Sequence, residues 1–128
     1  MKNPNSEVAE VLENCARSWR DGTIGWTQRT MARNDSGDKV GIMCSDDGAL
    51  NPAVAEVCSA GAVVWQVGKM EDLFFVARRA LESKLAKRPL EGNPNNLIIW
   101  NDEPGRTVEE VIDLFEATAK DLRNGAEV

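Results

Sequence analysis

A chain of 128 residues, 42% of them hydrophobic, is one domain's worth of sequence with enough apolar material for a single core. Fifteen Lys and Arg against 21 Asp and Glu leave a net charge of −6 and a pI near 4.7, which works against a non-specific hold on nucleic acid phosphates. Histidine and tyrosine are both absent, which excludes His-activated nucleophiles, an imidazole general base and the commonest metal ligand, and leaves acid-base chemistry to carboxylates, Lys or Cys.

The N-terminal stretch "MKNPNSEVAEVLEN" carries charges every few residues and no apolar leader region, and no apolar run in the chain approaches the roughly 18 residues that cross a bilayer. A cytoplasmic protein is expected. Cys15, Cys44 and Cys58 are odd in number and widely spaced, so neither a disulfide framework nor a zinc site is predicted, and all three are expected as reduced thiols.

From Val8 the apolar positions Val8, Val11, Leu12, Cys15 and Trp19 fall at helical spacing, with Ser6 as N-cap and Asp21-Gly22 as stop. "TIGWTQ" and "KVGIMC" then alternate apolar and polar residues across the turn-forming "RNDSGD", which predicts a small antiparallel hairpin. Asn51 and Pro52 read as N-cap and first position of a second helix, with Val54, Val57, Cys58, Gly61, Val64 and Trp65 on one stripe and Gly68 at its end. Gly61 inside that stripe is unfavourable for a helix by about 1 kcal/mol relative to Ala, and close approach of another backbone is the expected compensation. A third helix is predicted from about Glu71 to Arg88, burying Leu73, Phe74, Ala77, Ala80, Leu81 and Leu85 and ending before Pro89. "LEGNPNN" is the loop beyond it.

The stretch "IIWNDEPGRT", residues 98 to 107, holds several signals at once. Leu97 to Trp100 is an apolar run that anchors a turn, and Glu103-Pro104-Gly105-Arg106 reads as that turn, of type II, with Gly at the position of positive φ. Thr107 and Glu110 form a T-x-x-E capping box that starts the last helix at residue 108. That helix carries the stripe Val108, Val111, Ile112, Phe115, Ala119 and Leu122 and ends at Asn124-Gly125. Asn101 and Asp102 are left with two readings: they bond local backbone amides, or with Trp100 they line a polar pocket.

"WNDEPGRTVEEVI", "GW" at 25 to 26 and "CSAGAV" at 58 to 63 together resemble a family of short, uncharacterised actinobacterial and actinobacteriophage domains of unknown function. The family has a similar W-N-D-x-P-G-R-T segment before a final helix and a C-x-x-G-A segment in an earlier one. The resemblance covers most of the chain and implies an actinobacterial or phage setting, but it brings no activity and no site residues. Val57 stands where the family commonly has a Trp before the Cys, a departure that weakens any Trp-Cys site.

Other constellations are weaker. Asp46-Asp47-Gly48 lacks the alternating oxygen ligands of a calcium loop and reads as a turn. Arg78, Arg79, Lys84, Lys87 and Arg88 form a basic cluster offset by Glu82, which reads first as a solvated helix face and otherwise as a docking patch for an acidic partner or for phosphate. Cys58 lies on an apolar stripe, where burial makes a thiol inert. The expected fold is mainly α: a single compact domain, residues 1 to 128, of about four helices with a small β-hairpin between the first two. The expected function is that of a non-enzymatic accessory or regulatory protein whose partner is another protein, with no cofactor, metal, catalytic residue, direct nucleic acid contact or membrane. The alternative is a small ligand-binding protein or carboxylate-dependent enzyme with a pocket near Trp100, Asn101 and Asp102.

Overall fold

The computed structural model describes residues 4–44, 48–69, 71–87 and 96–125. The helices are α1 Pro4–Arg20, α2 Ser59–Val67, α3 Asp72–Ala86, α4 Leu97–Asn101 and α5 Val108–Arg123, and three two-residue strands, β1 Gly25–Trp26, β2 Ala32–Arg33 and β3 Glu56–Val57, lie between α1 and α2. The fold is thus mainly α, with five described helices rather than four.

The expected stripes build the core. Val8, Leu12, Cys15 and Trp19 of α1 are buried, and so are Val111, Ile112, Leu114, Phe115, Ala119 and Leu122 of α5. The two helices run antiparallel, since Glu13 pairs with Arg123 at 2.7 Å and Arg20 with Glu116 at 2.8 Å. Trp19 meets Phe115 edge-on, ring centroids 5.0 Å apart. Burying one Leu-sized side chain contributes about 2 kcal/mol, against about 1 kcal/mol for a helix cap, so α5 is held by its packed face more than by its termini. α3 adds Phe74, Ala77, Ala80, Leu81 and Leu85, and α2 is buried over its first six residues. Ser6 sits inside the first turn of α1 rather than at its cap. α3 ends at Ala86, and Arg88 and Pro89 lie outside the described residues.

The predicted hairpin does not form. The sheet has the order β1-β3-β2: β3 is central, parallel to β1 through Gly25↔Glu56 and Trp26↔Val57, and antiparallel to β2 through Ala32↔Val57 and Arg33↔Glu56. The "KVGIMC" segment pairs only through the bridges Arg33↔Lys39 and Met43↔Leu50. The reason lies at Asn51. Its side chain accepts from the Ala53 amide at 3.0 Å, closing a turn on itself, and donates to the Gly41 carbonyl at 2.9 Å. Asn51-Pro52 is therefore a local turn that delivers Glu56 and Val57 to the middle of the sheet, and α2 starts at Ser59 rather than at Pro52.

The start of α2 is capped by Cys58, whose sulfur accepts from the Gly61 amide at 3.2 Å. The expected close approach at Gly61 is present: a Cβ there would lie under 3.0 Å from the Met31 carbonyl oxygen, closer than real Cβ atoms come. The same carbonyl accepts from the Cys58 amide at 3.1 Å, so the loop after β1 is seated on the first turn of α2. Gly68 ends α2 with φ +93°, its amide donating to the Val64 carbonyl at 2.7 Å. Asp46 and Asp47 lie outside the described residues, and Gly48 beside them takes a turn conformation with φ +73°.

Candidate functional site

The five residues of α4 set the geometry of the W-N-D segment. Asn96 accepts from the Ile98 and Ile99 amides at 3.0 and 3.1 Å, while Glu82 of α3 accepts from the Leu97 amide at 2.8 Å. The first turn is thereby satisfied from its own cap and from a neighbouring helix. Leu97, Trp100 and Asn101 face inward, and Ile98 and Ile99 face outward.

Asn101 is fully buried and every polar atom of its side chain is engaged. Its Oδ1 accepts from Trp26 Nε1 at 2.8 Å, from the Ser59 amide at 3.0 Å and from the Ser59 hydroxyl at 2.6 Å. Its Nδ2 donates to the Thr27 carbonyl and to Asp102 Oδ1, both at 3.1 Å. One amide thus joins β1, the first turn of α2 and α4. Asp102 Oδ1 also accepts from the Arg29 amide at 2.7 Å, holding Arg29 at φ +69°, the one non-glycine residue with positive φ among those described. Gln28 donates to the Asn101 and Glu103 carbonyls, at 2.8 and 3.0 Å.

Arg106, Thr107 and Glu110 in the rest of the segment are also engaged. The Arg106 guanidinium lies 4.1 Å from the centre of the Trp100 ring, donates to the Trp100 carbonyl at 3.0 Å, and pairs with Glu103 and Glu110. The Arg106 amide donates to the Glu103 carbonyl at 3.1 Å and Gly105 has φ +86°, as the Pro-Gly turn requires. The capping box is complete, with Thr107 Oγ1 accepting from the Glu110 amide at 3.2 Å and Glu110 Oε1 accepting from the Thr107 amide at 2.9 Å. That amide, ahead of the Arg106 charge, holds the Glu110 carboxyl below its ordinary value.

Of the three pocket candidates, Trp100 and Asn101 are buried and Asp102 lines a cavity. Asp102 shares about 130 Å³ with Arg29, Thr30, Met31, Cys58 and Ile98. At about 30 Å³ per water this holds roughly four waters, whereas pockets for metabolite-sized ligands run to about 300 Å³ or more. Burial pushes the Cys58 thiol up, away from the thiolate form, against the opposing pull of the amides that donate to it, and the Asp102 charge pushes the same way. The Cys15 thiol is raised still further by burial. Neither is an activated nucleophile. Among the described residues there is no group of three or more Cys, Asp or Glu placed to hold a metal ion, and no helix long and apolar enough to cross a membrane.

The basic cluster divides in two. Lys84 pairs with Asp121 of α5 at 2.6 Å, and together with Lys87 it borders a crevice against that helix. Arg78 and Arg79 point elsewhere, into a cavity of about 560 Å³ that is also lined by Phe75, Glu82, Ser83, Ala86 and Asn96, at the junction of α3 and α4. Arg78 is half-buried and pairs with Glu82 at 3.2 Å, whereas Arg79 is exposed. Arg88 lies outside the described residues.

This junction holds the residues that sequence reasoning missed. Among the described residues the exposed large hydrophobics are Phe75 at 53%, Ile98 at 38% and Ile99 at 60%, all on α3 and α4. A signal for Phe75 exists in the sequence: adjacent helical residues point about 100° apart, so Phe74 and Phe75 cannot both enter one core. A depression of about 610 Å³ between α1 and α5 is walled by the pairs Glu13–Arg123 and Arg20–Glu116 and also by Arg17 and Lys120.

The chain matches a family described only as being of unknown function, DUF6197, over residues 3–121. No curated protein and no solved structure matches it.

Proposed function

We propose, for a chain that belongs to this family of unknown function, a non-enzymatic accessory role exercised through protein contacts at the junction of α3 and α4. One observation carries the reading: Phe75, exposed on α3, lines a cavity that also presents Arg78 and Arg79, and α4, whose N-cap Asn96 lines the same cavity, exposes Ile98 and Ile99. Exposed apolar side chains gathered around a concavity with a polar rim are what a partner's contact surface requires. The W-N-D segment supports the same reading from the other side, because the Asn101 side chain is spent on joining β1, α2 and α4. The sequence resemblance suggests an actinobacterial or phage setting, and the net charge of −6 suggests a partner that is not nucleic acid.

Site-specific photo-crosslinking in cells tests this. A crosslinking residue at position 75 or 99 should give one discrete protein adduct, and the same residue at the exposed position 109 of α5 should not. Equal adduct patterns from all three positions would reject the reading.

A further inference from the structure

We infer that the α3–α4 junction takes a short acidic amphipathic helix of a partner protein, an inference that rests on the protein-contact role proposed above. The outer face of α3 presents Phe75, Arg78, Arg79, Glu82, Ser83 and Ala86 in a single line at helical spacing, and all six line the cavity. From residue 75 to residue 86 this line runs about 16 Å, roughly three helical turns. Its two ends differ. At the Phe75 end it is apolar and cationic. At the Ser83 and Ala86 end the side chains are small enough for a second helix axis to approach to about 8 Å.

Charge complementarity selects the occupant. Glu82 is the acidic member of the line, and its carboxylate is already engaged by the Leu97 amide at 2.8 Å and by Arg78 at 3.2 Å, so the charge on offer at the cavity is that of Arg79 and the remaining donors of Arg78. A helix laid here gains most by placing an apolar side chain against Phe75 and carboxylates against the two arginines. This is the helix-in-groove mode, in which anchors recur at every third or fourth residue. A cation-rich helix would meet the arginines unfavourably. A single-stranded nucleic acid would stack on Phe75 and meet the same arginines, but it carries a phosphate at every nucleotide, so the chain's net charge of −6 opposes it more strongly than a helix with a few carboxylates placed at the arginines.

The test is selection of a displayed library of random peptides, about 16 residues long to cover the cavity with a turn to spare, on the full-length protein. The enriched peptides should carry apolar residues at i, i+3 or i+4, and i+7, with a surplus of Asp and Glu. The consensus peptide, made synthetically, should lose about tenfold or more in affinity to each of Phe75→Asp and the double variant Arg78→Glu, Arg79→Glu. Its affinity for Lys120→Glu on α5 should be unchanged, and all three variants should keep the wild-type circular dichroism. Enrichment of basic or unpatterned peptides, no enrichment, or a consensus peptide indifferent to Phe75→Asp would each overturn the inference. So would binding of an oligothymidylate of about 20 nucleotides that the double arginine variant abolishes. A single protein adduct from position 75 in cells, together with failure of the peptide selection, would reject the acidic helix while leaving the protein-contact role in place.

Discussion

Replacing Asn101 with alanine removes the acceptor shared by Trp26 Nε1, the Ser59 amide and the Ser59 hydroxyl, and the donor to the Thr27 carbonyl. These four groups do not suffer equally. Trp26 is half-buried and can recover a water, and the Ser59 hydroxyl can rotate, but the Ser59 amide and the Thr27 carbonyl belong to buried residues and have no such freedom. Each buried group left unpaired costs about 1–3 kcal/mol, so the two fixed groups together with the lost packing put Asn101→Ala at about 3–5 kcal/mol. Set against a total stability of about 5–15 kcal/mol for a domain, that is enough to leave the variant marginally folded. Urea denaturation followed by tryptophan fluorescence reads it directly, and at a slope of about 2 kcal/mol per molar the midpoint should fall by roughly 1.5–2.5 M. The double variant Asn101→Ala, Ser59→Ala should be less destabilised than the sum of its parts, because the bond between the Ser59 hydroxyl and Asn101 is lost in each single variant but only once in the double. A single-variant loss below about 1 kcal/mol, or strict additivity, would refute the claim that this amide joins the elements.

Gly61→Ala should destabilise by about 2 kcal/mol or more although helix propensity alone would favour it by about 1, because the new Cβ would collide with the Met31 carbonyl; a rise in the thermal midpoint would refute that close approach. Thr107→Ala should cost about 1 kcal/mol in chemical denaturation near neutral pH. Glu110 has a folded-state pKa below its ordinary value, so its share of the capping stability is fully present above the ordinary carboxylate range and is lost as pH falls through the lower folded value. The penalty of Glu110→Gln should accordingly shrink as the pH falls through and below the ordinary carboxylate range, and a penalty independent of pH would contradict the charge-assisted cap. In the folded protein at mildly alkaline pH iodoacetamide should label the half-buried Cys44 first, with Cys15 and Cys58 reacting only on unfolding, as peptide mapping of a time course would show.

The parts of the fold that are legible in the sequence are those with enough residues to set a period or a fixed local chemistry. α1, α3 and α5 show their stripes over 15 to 17 residues, and the capping box, the Pro-Gly turn and the close contact at Gly61 each follow from the stereochemistry of one or two residue types. Two-residue strands cannot display alternation, so the sheet is invisible in the sequence and its central strand is absorbed into a predicted helix. Asn51-Pro52 carries the same residues whether it caps a helix or closes a turn on itself, and only the Gly41 carbonyl, ten residues away in sequence, decides between them. α4 has five residues, fewer than two turns, so Leu97 to Trp100 reads as an anchor rather than as a helix with an outward face. For the candidate site, Arg78 and Arg79 are identifiable as charges and Phe75 through its neighbour Phe74, while the exposure of Ile98 and Ile99 on the short α4 is not. The role of Asn101 depends on Trp26, Thr27 and Ser59, partners 42 to 75 residues distant that no local pattern can announce.

The most direct test of where this protein works compares crosslinking from position 99 in two backgrounds, Phe75→Asp and Asp102→Asn. Asparagine keeps an oxygen for the Arg29 amide and removes only the carboxylate charge from the small cavity beside Cys58. Loss of the adduct in Phe75→Asp with full retention in Asp102→Asn is the predicted result. Retention in Phe75→Asp with loss in Asp102→Asn would place the function at the cavity and contradict a working surface on α3 and α4.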